Sequence, residues 1–294
     1  MDELKLLREM RSDAPEPDLA RLRGIRKRAP RGRRRFMILP VVAALATAVA
    51  VVVVVLSPER TQPRVTPPTR LLNASTTLER AATVAGRRAV PPEPREDQWQ
   101  YRKYSTVQPD GDEETFQEWI RYDGTQIART DGKVEDVAPD PGDDDLSPQK
   151  YRAKLLALPT DPDKLLAKVT GDRHWIDYPK GEGSAPGAER PDQRAFRVLG
   201  VYLEQQAVMP PRLEAAIYRA LARIPGIRVE EGVQDGAGRT GLGLTLESSR
   251  DRWLVLDPST YRLLGDRSTA GFAAGFATAE LASGIVDRPG EVIP

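Results

Sequence analysis

The sequence predicts an α+β fold: a single N-terminal transmembrane helix followed by an extracytoplasmic antiparallel sheet with helices packed on one face. Three observations carry this. Phe36 to Leu56 is an apolar run without a charge. Beyond it the elements run strands, helices, strands rather than alternating one for one, which favours an antiparallel sheet over a doubly wound parallel one. The short β-type runs are joined by Gly- and Asp-rich turns, the punctuation of hairpins.

The chain reads as four stretches. Residues 1–35 hold 12 basic and 6 acidic residues, whereas the remaining 259 hold 32 basic and 37 acidic, so the overall net charge of +1 averages two unlike populations. Leu4, Leu6, Leu7 and Met10 lie at helical spacing, Pro15-Glu16-Pro17 interrupts, and Leu19, Leu22 and Ile25 give a second short amphipathic piece ringed by Arg. Two readings fit this basic arm: a docking surface for a cytoplasmic partner, or a segment lying on anionic lipid.

The second stretch, 36–56, includes Phe36, Pro40, Leu45, Val51 and Leu56. Its 21 residues span about 31 Å as a helix, against a hydrocarbon core of about 30 Å. Pro40 falls near the first turn, where a missing N–H removes little. Arg31, Arg33, Arg34 and Arg35 stand directly before the span, which puts the N-terminus in the cytoplasm and the C-terminal part outside. A cleavable signal peptide is the competing reading, but its apolar region is normally about 7–15 residues and ends in a small-x-small site. Here the run is longer and ends Val-Leu-Ser-Pro.

The third stretch, 57–94, is a Pro-rich stalk carrying one helix over Leu71 to Ala85; Pro91-Pro92-Glu93-Pro94 closes it. In the fourth, 95–294, Trp99 and Tyr101 alternate with polar residues, and Asp123-Gly124 turns the next run into Thr125 to Thr130, an antiparallel meander. Ser147 to Leu158 and Asp161 to Val169 read as helices and Pro179 to Asp192 as a loop. Pro211 to Ile224 is the clearest helix, with Leu213, Ala216, Ile217, Ala220, Leu221 and Ile224 on one face between Pro211 and Pro225-Gly226. Strands follow at Ile227 to Glu231, Gly241 to Glu247, Trp253 to Leu256 and Tyr261 to Gly265; Ala270 to Leu281 reads as a small-residue helix or loop.

Several motifs resemble a known family. The opening Met-Asp-Glu-Leu-Lys-Leu-Leu-Arg-Glu, the Pro-Glu-Pro-Asp after it, the single span, Leu155 to Pro162, Ala215 to Gly226 and Asp257-Pro258-Ser259-Thr260-Tyr261 are similar to single-pass actinobacterial membrane proteins often encoded beside extracytoplasmic-function sigma factors. More loosely, the outer part resembles the half-barrels of periplasmic lipoprotein carriers and sigma-regulator sensors. The resemblance implies topology, a sigma factor as cytoplasmic partner and an apolar envelope ligand in a curved sheet; it implies no active-site residues. Zinc-binding anti-sigma factors need His and Cys in the cytoplasmic part, and residues 1–35 have neither.

No catalytic, cofactor or metal residues emerge. With no cysteine and one histidine, thiol chemistry, disulfides and two-His metal motifs are excluded. Gly236-Ala237-Gly238-Arg239-Thr240-Gly241 has dinucleotide-loop spacing, but an alternating run follows instead of a helix, so a hairpin turn is expected. Ser147-Pro148 reads as a helix cap rather than half of a Ser/Lys pair. His174 lacks a neighbouring nucleophile signature, Asp143 to Asp145 reads as a solvated loop, and Asn73-Ala74-Ser75 is a sequon in form only. Gly271 and Gly275 make G-x-x-x-G in a stretch too short to span. The Arg residues are interspersed with as many acids, so nucleic acid is not an expected partner. The expectation is a non-enzymatic, cofactor-free regulatory or sensor protein of the cell membrane, with the bilayer, a sigma factor and an envelope ligand as partners; the alternative is a tethered lipid- or lipoprotein-binding module.

Overall fold

The computed structural model describes residues 70–137, 147–171, 189–269 and 274–293. The chain divides after Gln62, and all of these residues belong to the C-terminal unit. The basic arm, the span and its residues Phe36, Pro40, Leu45, Val51 and Leu56, and Arg31, Arg33, Arg34 and Arg35 lie outside the described residues. Among the described residues, no helix is long and apolar enough to cross a membrane.

The described residues form an α+β fold. Its strands are β1 (Arg70–Leu72), β2 (Trp99–Val107), β3 (Glu113–Arg121), β4 (Gln126–Arg129), β5 (Val134–Asp136), β6 (Ile227–Gln234), β7 (Thr240–Leu246), β8 (Ser249–Leu256), β9 (Leu263–Ser268) and β10 (Ala277–Val286). Its helices are α1 (Ala74–Gly86), α2 (Pro148–Leu156), α3 (Pro162–Gly171), α4 (Pro191–Leu203) and α5 (Pro211–Leu221). The strands make one antiparallel sheet in the order β1-β6-β7-β8-β9-β10-β2-β3-β4-β5. Two meanders, β2 to β5 and β6 to β10, are therefore joined where β10 pairs with β2.

Local chemistry sets the boundaries. The helix expected from Leu71 begins later: Asn73 caps α1 by accepting from the Thr76 amide at 2.8 Å, which leaves Arg70–Leu72 extended to pair with β6. α1 is also built into the main core through Leu78, Ala81, Ala82 and Ala85. Ser147 caps α2 with Pro148 in its first turn, as its sequence suggests. Asp123-Gly124 turns β3 into β4, with Gly124 at φ +81° and the Thr125 amide donating to Asp123. Two elements differ from expectation. α4 starts at Pro191, inside the anticipated loop, and Ala277–Val286 is a central strand rather than a helix. Its small residues fit close backbone approach: a Cβ on Gly265 would sit 2.1 Å from the Thr278 carbonyl oxygen.

The five helices and one face of the sheet share a core. Leu72, Val229, Leu244 and Leu254 pair in register across β1, β6, β7 and β8, and Leu242, Leu246, Leu256 and Leu263 surround that row. Each helix adds buried side chains, including Leu155, Leu165, Leu199 and Ile217. Burial of an aliphatic side chain of this size stabilises by about 1.5–3 kcal/mol. A smaller cluster, Trp99, Tyr101, Trp119, Ala128 and Val286, contains no helical residue. Within β10 Ile285 packs on the first cluster and Val286 belongs to the second, so the two lie on opposite faces of the sheet. The tail covers the second: Trp119 Nε1 donates to the Glu291 carbonyl at 2.7 Å.

The sheet bends toward the face turned from the helices. The Gly236 amide, in the β6–β7 turn, donates to the Thr278 carbonyl of β10 at 2.9 Å, although β8 and β9 lie between β7 and β10 in the sheet. Arg239 fastens this closure by donating to the carbonyls of Leu264 (2.8 Å) and Glu280 (2.7 Å) while Asp235, fully buried, holds its guanidinium. The inside of the bend is tight: a Cβ on Gly243 would come within 2.5 Å of Val233. Gly265→Ala should destabilise the protein by at least about 2 kcal/mol, because backbone opposes the new methyl. Gly171→Ala, with open space around it, should be neutral. Urea unfolding of the two variants checks this.

Candidate functional site

The helix-facing side of the sheet changes character from apolar to charged along a single row. After Leu72, Val229, Leu244 and Leu254 the next residue in register is Asp266 of β9. This is where the helix cover ends. Gly200 lets α4 approach the sheet, since a Cβ there would lie 3.1 Å from Leu254 Cδ1. One turn later, about 6 Å along the axis, comes Glu204, the C-cap of α4. Two residues before Leu254, about 6.6 Å back along β8, stands Arg252. The matching advances bring them together, and Arg252 Nη2 donates to Glu204 Oε1 at 3.1 Å.

Arg252 also donates through Nε to Asp266 Oδ2 at 3.0 Å, and the Thr278 hydroxyl donates to Asp266 Oδ1. On the neighbouring strands, Arg102 Nε of β2 donates to Glu280 Oε2 of β10 at 2.8 Å. The Arg102 guanidinium lies 4.8 Å above the Tyr104 ring, and Phe116 stacks on Tyr104 at 5.2 Å. Arg102, Tyr104, Glu204, Arg252, Asp266 and Glu280 line a cavity of about 190 Å³, with Phe276 and Thr278 completing the wall. The Glu280 side chain is only 7% exposed, yet its Oε1 has no donor among the described residues.

Burial pushes the Glu204 carboxyl above its ordinary range despite Arg252, and burial does the same to Glu280 despite Arg102. Such a cluster is a poor means of stabilisation. Buried ion pairs roughly break even against apolar residues of similar volume, and an unsatisfied buried acceptor costs about 1–3 kcal/mol. Perturbed carboxyls around a cavity mark a site for a ligand or proton.

A second cavity of about 430 Å³ lies beneath the strap that joins α1 to β2. Arg88, Arg152, Arg262, Glu93, Glu214 and Gln206 are among its lining residues. Glu93 latches the strap, accepting from the Tyr122 hydroxyl at 2.8 Å and Arg152 Nε at 2.6 Å. Arg88 donates to Glu214 and to the Thr260 carbonyl, while the Tyr218 hydroxyl donates to the Tyr261 carbonyl. Tyr261 has φ +58°, in the left-handed region that non-glycine residues rarely enter. The Asp257 turn before it holds that conformation. Burial raises the Asp257 carboxyl, but the amides and hydroxyls of Ser259 and Thr260 more than reverse this, bringing it to about 2.

Of the motifs flagged in the sequence, Gly236 to Gly241 is the β6–β7 hairpin turn and holds no helix N-terminus. Ser147 is a cap. His174, Asp143 to Asp145 and Gly271 lie outside the described residues. Among those described, no group of three or more His, Asp or Glu is placed to hold a metal ion. The cleft residues escaped the sequence reading because they come singly from five elements. The available signal was local: the apolar runs Trp253–Leu256 of β8 and Leu263–Leu264 of β9 adjoin the charges Arg252 and Asp266, and Glu280 is the sole charge in Ala277–Val286. No family model, curated protein or solved structure matches the chain.

Carboxyl titration by NMR should place Glu204 and Glu280 above 4.5 and Asp257 near 2. The signs follow by linkage. The Glu204 and Glu280 contributions are fully present below their unfolded values and are lost as pH rises through the raised folded ones. The Asp257 contribution is present above its unfolded value of about 3.8 and is lost as pH falls toward about 2.

Proposed function

We propose that the chain is a single-pass membrane regulatory or sensor protein, with residues 1–35 in the cytoplasm and an outer domain that binds a small polar ligand in the cleft between α4 and β2, β8, β9 and β10. One observation carries the ligand part: three carboxylates and two guanidinia line one cavity, and Glu280, its side chain only 7% exposed, keeps an oxygen without a donor among the described residues. The uncharged Phe36 to Leu56, preceded by Arg31, Arg33, Arg34 and Arg35, supports the anchor and its orientation. The family resemblance supports a sigma factor as the partner of the arm.

The alternative, a tethered module for envelope lipid or lipoprotein, calls for an apolar cavity. It gains little from the cleft, whose lining is dominated by charged side chains. The inside of the sheet's bend is filled by Val233, Val255 and close backbone.

A series of contacts links the cleft to β1. The Glu280 side chain lines the cleft while its carbonyl accepts from Arg239. Arg239 belongs to the β6–β7 turn, and β6 pairs with β1, the first described strand. A ligand that shifts Glu280 would therefore act through these contacts on β1, the described strand nearest in sequence to Phe36–Leu56.

The absence of cysteine makes single-cysteine labelling clean. With an impermeant maleimide on intact cells, Ser259→Cys should react and Ser12→Cys should react only after permeabilisation; the reverse pattern would overturn the topology. Full-length protein purified from its own membrane should carry a sigma factor, and loss of that factor on deletion of residues 1–35 would tie it to the arm.

A further inference from the structure

The charges of the cleft do not balance. Glu204, Asp266 and Glu280 face Arg102 and Arg252, which leaves one negative charge in excess. The pairing is also incomplete at one atom. Glu204 accepts from Arg252, and Asp266 accepts from Arg252 and Thr278. Glu280 accepts from Arg102 through Oε2 only, and Oε1 is left without a donor. A buried carboxylate with one oxygen unsatisfied calls for a donor, and a water molecule would supply the donor without the charge.

The three carboxylates are not disposed as a metal shell, since no such group exists among the described residues. Divalent cations require several oxygens converging at about 2.0–2.6 Å. The donor that fits is therefore an N–H of an organic cation. The rings of Tyr104 and Phe276 also line the cavity; Tyr104 is the cross-strand neighbour of Glu280 and already carries the Arg102 guanidinium and Phe116, so Phe276 is the aromatic face left to a ligand. Aromatic faces attract a cation and cover a short alkyl chain. A volume of about 190 Å³ admits a body of only a few carbon atoms. The raised carboxyls of Glu204 and Glu280 agree with this, because a cleft that draws in a proton also welcomes an ammonium.

We propose that the cleft binds a small primary ammonium ion, which donates to Glu280 Oε1 and lays a short apolar chain against Phe276. The proposal rests on the cleft being the ligand site of the outer domain.

The test uses the full chain in lipid nanodiscs, titrated calorimetrically with three probes of similar size. n-Butylammonium should bind saturably, tetramethylammonium, which has the charge but no N–H, at least about tenfold more weakly, and butyrate not at all. Glu280→Gln should weaken n-butylammonium by about tenfold or more, whereas Glu79→Gln, in an exposed pair with Arg219, should leave it unchanged. If Glu280→Gln fails to fold, the comparison of the three probes on the unmodified chain still decides. Saturable binding of butyrate, or equal binding of both cations, overturns the ammonium class while keeping the cleft as a ligand site, provided Glu280→Gln or Arg102→Gln alters that binding. Absence of binding by all three probes overturns the ammonium proposal, and unchanged affinity of n-butylammonium in Glu280→Gln moves its site away from the cleft.

Discussion

Gly200 lies close over Leu254, where a Cβ would sit 3.1 Å from its Cδ1, and that close approach brings α4 down onto the sheet. From it follow the coverage of Leu244 and Leu254, the position of Glu204 at the helix end, and the point at which the sheet face passes from aliphatic to charged. A bulkier residue at 200 would lift the helix and part Glu204 from Arg252. The charged cleft is thus a by-product of helix packing only in its location. Its composition is independent of that packing, because Asp266, Glu280 and Arg102 come from strands that α4 does not cover in register.

Much of the architecture was legible in the sequence because it rests on local signals. Pro211 and Pro225-Gly226 bracket α5, Asp123-Gly124 makes a turn, and alternating residues mark β2 and β7. What escaped was set by contacts distant in sequence. Ala277–Val286 has the composition of a packing helix, and only its squeeze between β9 and β2 shows why small residues are needed in a strand. α4 was hidden by the Gly/Pro-rich residues before it, although Pro191 and the spacing of Ala195, Leu199 and Tyr202 were available. The cleft was the least legible part. Each of its charges looks like an ordinary surface residue until the register places four strands and a helix end around them.

The Arg239 closure also changes how the Gly-rich turn is understood. The glycines of Gly236 to Gly241 do not cradle a phosphate; they let a hairpin tip touch another strand's backbone, with Gly236 against Thr278 and Gly241 against Leu256. Asp235 neutralises the arginine that secures the contact, so a charged side chain is spent on main-chain carbonyls rather than on a ligand. The same loop chemistry that suggests nucleotide binding in a parallel sheet here serves curvature.

The pairing of β1 with β6 and of β2 with β10 has a consequence for biogenesis. Arg70 meets Glu231, a partner about 160 residues later, and Trp99 meets Val286 near the end of the chain. The first pairing cannot form until β6 has been synthesised and the second not until β10 has, and contacts of such long range close slowly. Until then β2 presents an open edge and β1 is unpaired, a period in which a neighbouring nascent copy competes for the same hydrogen bonds. A chain cut short before β10 would therefore leave its first meander without the strand that joins it to the rest of the sheet.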